Sequence, residues 1–409
     1  MNVRATRFPL FDSMRAIAVL AVVATHGAFF SGLGGHGSAA GPYLGRLDVG
    51  VHIFFLISAF LLYRPFVRAG IEDAEPPLVR AYAWRRFLRI VPGYWLALTV
   101  IALALGLPGV FGADAPLYYG LAQIYTPETS GGGLPQAWSL CVELSFYLFL
   151  PLYAALMRRL PAGDERGRLR RELGGAAVLV LVSFAYKLWI LSMGPATAFR
   201  LVPWHFALPA FLDTFALGMA LATLSAWYAG RATPAPLRAL DRFPSLAWLL
   251  AAVAFWVVST RIGLVGRAGE PLSESQYLGR HWLYALVGLG VLLPAVFGDQ
   301  ARGLVRRLLA LRPLLYVGLV SYGVYLYHFA VYAQLRRWGF GSLASDTSPW
   351  LWLPAGLAGS LLLASLSYYA VERPLLRLKR LVPGRERTEA GEAIAEPAPA
   401  RPPRLTQAG

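Results

Sequence analysis

A single cysteine, Cys141, stands in a chain of 409 residues. One thiol excludes an internal disulfide framework and any multi-cysteine zinc cluster. Lysine is nearly absent too. The chain has two lysines, Lys187 and Lys379, and the rest of its 38 basic residues are arginine. That bias reflects a GC-rich genome, so no single arginine carries an argument by itself. The six histidines are scattered, and no metal site is expected from them. There is no H-E-x-x-H, no Walker loop and no G-x-G-x-x-G, which leaves zinc-protease, P-loop and dinucleotide chemistry without a motif. Internal repeats are missing, and the loops are too short to hold a second, soluble domain.

What is present is apolar. Hydrophobic residues make up 57% of the chain and charged ones 15%. Long apolar runs recur from end to end, the pattern of a polytopic membrane protein. A net charge of +16 then points to loops facing anionic lipid rather than to nucleic acid.

Ten spans are expected, at roughly 13–32, 49–67, 90–108, 137–157, 174–193, 204–226, 246–263, 281–297, 313–335 and 350–371. "PLYYGLAQIY" (116–125) is too short to cross and reads as an interfacial or re-entrant piece. Arg4 and Arg7 precede the first run as in a signal sequence. The run is long, however, and no A-x-A site follows, so it reads as a retained helix. With the N-terminus inside, about thirty of the 38 basic residues fall on the cytoplasmic side and seven outside, Arg200 and Arg267 among them. The expected architecture is therefore all-α, with about ten transmembrane helices and both termini cytoplasmic. Residues 1–382 form the membrane domain. The tail 383–409, rich in Pro, Ala, Glu and Arg, reads as disordered.

Ionisable groups inside spans are costly and so are candidates for function. Arg15 and His26 lie in "MRAIAVLAVVATH". Eleven residues at about 100° each end about 20° past three full turns, so the two share a face roughly 16 Å apart along the axis. Arg15 is either a snorkelling anchor or a working charge, and His26 either a satisfied packing residue or a base. Glu143 lies almost two turns into "AWSLCVELSFYLFLPL", beyond the reach of the helix dipole. Ser321, Tyr325, His328 and Tyr332 follow i, i+4, i+7, i+11 and form one stripe, which should face protein because buried hydroxyls need partners. Lys187 and Asp213 read as a structural pair. His26, Glu143, Lys187, Asp213 and His328 are expected in one buried polar layer in the outer half. On the other side, "YAWRRFLRIVPGYW" carries Arg85, Arg86 and Arg89 just before the third span. Arg86 and Arg89 share a face, and such a fork suits a phosphate-bearing ligand as well as ordinary cytoplasmic charge.

Taken together, "FDSMRAIAVLAVVATH", "VGVHIFFLISAFLLYRPF", "RRFLRIVPGYW", "AWSLCVELSFYLFLPL", "SYGVYLYH" and "VERP" resemble the acyltransferase type 3 family of integral membrane proteins. The likeness covers residues 10–380. It implies an enzyme that moves an acyl group, usually acetyl from acetyl-CoA, onto a hydroxyl of a surface polysaccharide, a lipid-linked glycan or a glycosylated metabolite such as a macrolide. By motif match it implies that Arg15 and His26 are the essential pair, with His26 as catalytic base, and that Arg86 and Arg89 hold the coenzyme phosphates, flanked by Arg85. No metal is implied. Two positions depart from the family pattern: His52, and Ala59 in place of the glycine of an S-G-F turn. The extracytoplasmic esterase-like domain of some members has no counterpart, so the chain is expected to act alone or to pass its acyl group to a partner.

On this reading the pantetheine arm runs up the bundle from the arginines and brings its thioester to His26. Glu143 or another carboxylate orients the imidazole, and Tyr325, His328 or Ser139 donates to the oxyanion. Direct transfer and an acetyl-His26 intermediate both remain open. The competing class is a transporter that uses the buried charges as a substrate or proton pathway.

Overall fold

The computed structural model describes residues 8–34, 38–194, 202–264, 272–340 and 349–383, and among these it is helical with no strand. Arg4, Arg7, Arg200, Arg267 and nearly all of the expected disordered tail lie outside the described residues. Eleven helices carry the architecture. They are α1 (Phe11–Ser31), α2 (Gly50–Ile71), α3 (Val79–Leu105), α4 (Trp138–Arg159), α5 (Glu165–Ser192), α6 (Leu212–Trp227), α7 (Pro244–Thr260), α8 (Glu274–Val296), α9 (Arg312–Leu319), α10 (Ser321–Arg337) and α11 (Trp352–Ser367). Among the described residues eight helical segments are long and apolar enough to cross a membrane, or up to ten if each of two bent pairs is one span. This is the fold of a multi-pass membrane protein.

Several boundaries differ from the sequence reading, most of all the starts of α3 and α5. The third span was expected from residue 90, yet α3 begins at Val79. An apolar window measures the hydrocarbon thickness, whereas a helix continues for as long as its residues favour it, and arginine is a good helix former. Arg85, Arg86 and Arg89 are therefore inside α3, on fixed faces, not in a loop before it. Likewise α5 begins at Glu165, with the Asp164 side chain accepting from the Gly167 amide at 2.7 Å as an N-cap.

The ninth span is broken. α9 and α10 meet at 74° around Val320. The reason lies next to Gly318, where a Cβ would run into the Asp12 carbonyl of α1. Without a side chain, α9 lies directly on the start of α1 while α10 turns away along it. The short helix Ala235–Arg242 meets α7 at 93° and does not extend it.

α2 is the centre of the bundle and packs against α1, α4, α6 and α8. Its crossing with α6 is tight. A Cβ on Gly218 would come 2.7 Å from Ala59 Cβ and from the Leu56 carbonyl. Small residues on both helices let the backbones approach. The alanine that departs from the family's S-G-F turn thus faces a glycine on the partner helix. At the periphery, α5 and the segment beginning with α11 are mostly open to their surroundings, as lipid-facing helices are.

The segment 116–125 forms no spanning helix and docks on α3. It forms a short helix Ala115–Tyr119 and a single turn Gln123–Tyr125. Its carbonyls are capped from α3: Tyr94 Oη donates to Tyr118 O and Trp95 Nε1 to Tyr119 O, both at 2.8 Å. Non-helical backbone is satisfied by protein, which is what burial in a bundle demands.

Candidate active site

The stripe on α10 organises the site. Ser321, Tyr325, His328 and Tyr332 are all buried, so the sequence pattern identified a protein-facing edge. Tyr332 Oη donates to the Val23 carbonyl of α1 at 3.1 Å. Tyr325 Oη donates to the Gln136 carbonyl at 2.7 Å and lies 2.7 Å from Ser139 Oγ on α4. Gln136 Nε2 returns the contact to the Leu326 carbonyl at 2.7 Å. α1, α4 and α10 are thereby pinned together around His328.

His26 meets His328 there. His328 Nε2 is 3.0 Å from His26 Nδ1, with ring centroids 4.9 Å apart. His26 Nδ1 also lies 3.0 Å from the Val22 carbonyl, one turn back on its own helix. Phe329 presents its edge to the His26 ring at 5.4 Å, and Phe30 packs on Phe329 at 5.1 Å. The carboxylate whose charge reaches His26 is Asp48, in the turn Leu47–Val49 before α2. Asp48 is itself held by the Tyr284 hydroxyl of α8.

Toward the other end of α1 a cavity opens between α1, α2, α3, α4 and α10. Its empty space, open mouth included, is about 740 Å³. Arg15, Arg86 and Arg89 line it, and so do Ser58, Glu143, Tyr147, Ser139 and Tyr325. Arg15 is held by Asp12 at 2.6 Å, an i, i+3 pair on the first turns of α1. Arg86 and Arg89 are different. Among the described residues neither has a carboxylate within ion-pair distance, and Arg86 Nε is buried without a partner. Arg89 lies over the Tyr322 ring at 5.8 Å. Glu143 lines the same cavity but is bonded to Ser58, so the two half-buried guanidinium groups have no carboxylate in contact and can take an external anion. Arg85, about 100° away round the helix, does not line the cavity.

Glu143 also belongs to this cavity. Ser58 Oγ donates to Glu143 Oε1 at 2.6 Å and is 3.4 Å from Tyr147 Oη. The expectation that Glu143 orients His26 is therefore corrected: the ring partner of His26 is His328. The oxyanion role expected of His328, Tyr325 and Ser139 changes as well. Both nitrogens of His328 are engaged, and the Tyr325 proton is committed to Gln136. Ser139, in turn, hydrogen-bonds Tyr325.

The expected single polar layer is in fact divided. Lys187 and Asp213 do pair, as a fully buried ion pair, and none of their hydrogen bonds goes to His26. Asp213 also accepts from His281 Nε2 at 2.8 Å and from the Thr214 amide at 2.7 Å, and Lys187 Nζ donates to Ser183 Oγ at 3.1 Å. His52 packs against His281 with centroids 5.1 Å apart.

Sequence reasoning missed Ser58, Asp12, Asp48, Gln136 and His281. Asp12 had a signal, an acid three residues before Arg15. Ser58 had a weaker one, a lone hydroxyl in "FFLISAFLL". The others come from distant segments and are brought in by packing alone.

Comparison with known proteins places the chain. The family described as "Acyltransferase domain" matches residues 9–369. Nodulation protein 10 of Rhizobium leguminosarum bv. viciae is 26% identical over 81% of this chain and 82% of its own length. Acyltransferase MdmB of Streptomyces mycarofaciens is 28% identical over the whole of both chains. Peptidoglycan O-acetyltransferase OatA of Listeria monocytogenes is 23% identical over 91% of this chain, which spans 57% of that longer protein. No solved structure matches. With nearly all of its membrane bundle inside the match, and with relatives named acyltransferases and O-acetyltransferases, this multi-pass bacterial membrane protein belongs to the acyltransferase domain family and is an acyl-transferring enzyme.

Proposed function

We propose that the chain moves an acyl group, acetyl by preference, from cytosolic acyl-CoA to a hydroxyl of a glycan, glycolipid or glycosylated metabolite at the opposite membrane face. The observation that carries this reading is the pair Arg86 and Arg89, two guanidinium groups on one cavity with no carboxylate partner. A coenzyme with several phosphates supplies the missing charge. The polar groups that continue inward, Ser58, Glu143, Ser139 and Tyr325, offer partners to the amides of a pantetheine arm. On α10 the cavity lining reaches Tyr325, one helical turn before His328, which holds His26. The N-terminal end of α1 faces the cytosol in this reading, in keeping with the arginine bias of the loops.

Chemically, the acceptor oxygen forms a bond to the thioester carbonyl carbon as its proton passes to His26. The C–S bond then breaks, and the departing thiolate is neutralised by that proton. Relatives named for O-acetyl transfer, one of them on peptidoglycan, support a hydroxyl acceptor on a glycan.

The test is transfer of radiolabelled acetyl from acetyl-CoA into the lipid and glycan fractions of membrane vesicles that contain the full chain. Wild-type vesicles should transfer label. His26→Ala at the same protein level should lose it by about 100-fold or more, the usual contribution of a positioned base. Undiminished transfer by His26→Ala would overturn the reading. So would a wild-type chain that is not stabilised against heat by CoA, since a ligand that binds the folded state must raise its melting temperature.

A further inference from the structure

The hydrogen bonds around His26 define more than its neighbours. They define which nitrogens carry protons. His328 Nδ1 lies 2.8 Å from the Tyr325 carbonyl and 3.2 Å from the Val324 carbonyl. A carbonyl oxygen only accepts, so His328 Nδ1 carries the proton. In a neutral imidazole the other nitrogen, Nε2, is then an acceptor. His26 Nδ1 faces two acceptors, the Val22 carbonyl and His328 Nε2, both at 3.0 Å. It must therefore carry a proton as well, shared between them. The lone pair of His26 is left on Nε2, the nitrogen that points away from His328.

We infer that His328 is the positioning residue of the transfer reaction, a neutral imidazole that holds His26 in its Nδ1–H form and accepts from it when it becomes charged. The inference rests on the reading of His26 as the base. In many enzymes a carboxylate holds the base histidine from behind. Here the one carboxylate of the cavity, Glu143, is bonded to Ser58. Asp48 acts on His26 only through space. His328 fills the place instead. When His26 Nε2 takes the acceptor proton, its Nδ1–H becomes a cationic donor, and the bond to His328 Nε2 becomes charge-assisted and stronger. The gain comes only as charge develops, so it lowers the barrier without tightening substrate binding.

The chain of partners also fixes where His328 sits. Its Nδ1–H is held by Tyr325 on its own helix, and Tyr325 is tied through its hydroxyl to Gln136 and Ser139 at the start of α4. α1 contributes the base, α10 the acceptor behind it and α4 the anchor. A ring held on three sides is what positioning to within a few tenths of an ångström requires.

Two substitutions separate positioning from packing. Gln in place of His328 puts an amide oxygen near the place of Nε2 and still accepts from His26 Nδ1. Leu fills similar space and accepts nothing. Full-chain protein in nanodiscs is assayed by release of CoA thiol from acetyl-CoA, with glycerol as a surrogate hydroxyl. His328→Leu should lower kcat by about 100-fold, in the range of one strong electrostatic contact in a transition state. It should leave KM for acetyl-CoA and the heat stabilisation by CoA unchanged. His328→Gln should recover kcat to within about tenfold of wild type. A His328→Leu variant with wild-type kcat would overturn the inference. The inference also fails if Gln and Leu are equally inactive at equal stability, or if KM rises while kcat holds. His26→Ala, run beside them, tests the underlying reading separately. If it retains full turnover, the base is elsewhere and the failure is not that of His328.

Discussion

Two buried polar clusters lie in one bundle, and they differ in what they leave unmet. Around Asp213 the charged groups are answered from within, although both ring nitrogens of His52, packed against His281, are buried without a partner. Lys187, His281 and the Thr214 amide converge on its two oxygens, and Ser183 takes a further bond from Lys187. Around the cavity the opposite holds. Arg86 and Arg89 have no carboxylate partner among the described residues, and His26 keeps an unused Nε2. A bilayer-embedded protein cannot leave polar groups dry for nothing. The ion pair and its His281 contact are explained by holding α5, α6 and α8 together. The open cluster needs a ligand.

That contrast breaks most visibly at the arginines. Arg86→Ala together with Arg89→Ala removes two charged hydrogen-bonding groups, each worth about 1.5–3 kcal/mol. Loss of both should weaken acetyl-CoA binding by roughly 100-fold or more, read as the rise in KM or by calorimetry. The melting temperature without ligand should change little, because neither guanidinium group has an ion-pair contact to lose. A fall in stability without any change in KM would mean that the two arginines are structural and that the contrast is false.

The closed cluster should respond in reverse. Asp213→Ala strands a buried ammonium on Ser183 and the Trp282 ring, and breaking a buried pair from one side costs about 3–5 kcal/mol. Thermal or denaturant unfolding in detergent measures it. The fraction that remains folded should turn over acetyl-CoA at the wild-type rate, because no described contact joins Asp213 to the cavity. A folded but inactive variant would move Asp213 into the mechanism.

Much of this was legible in the sequence, and the reasons are specific. The apolar runs marked the spans because the bilayer imposes a length. The α10 stripe was readable because helical period alone decides which residues share a face. The pairing of Lys187 with Asp213 followed from cost, since neither is tolerated alone at that depth. Depth was not enough, however, to say which buried groups meet. Glu143 and His26 were assigned to one layer, yet α2 stands between the helices that carry them, and Glu143 finds Ser58 there. The place behind His26 went to a histidine 302 residues away, and no local pattern announces such a contact. The extension of α3 was also hidden, because hydropathy falls at the arginines while the helix does not.

The smallest effect is expected where the closed cluster is replaced altogether. Lys187→Met, Asp213→Leu and His281→Phe remove every charge of that cluster at similar volume. An ion pair exchanged for well-packed apolar groups is often neutral or stabilising, because the cost of keeping two ions from water disappears with them. One loss remains. The Thr214 amide, in the first turn of α6, gives up its acceptor, at about 1 kcal/mol. The triple variant should therefore melt within a few degrees of wild type, far above Asp213→Ala, and transfer acetyl at the wild-type rate. The same exchange is not open to Arg86 and Arg89. Apolar groups there would also remove a desolvation cost, but the cavity would lose its ligand. If the triple variant keeps its stability and loses transfer, the bundle has one polar machine rather than a scaffold and a site, and the division drawn between the two clusters is wrong.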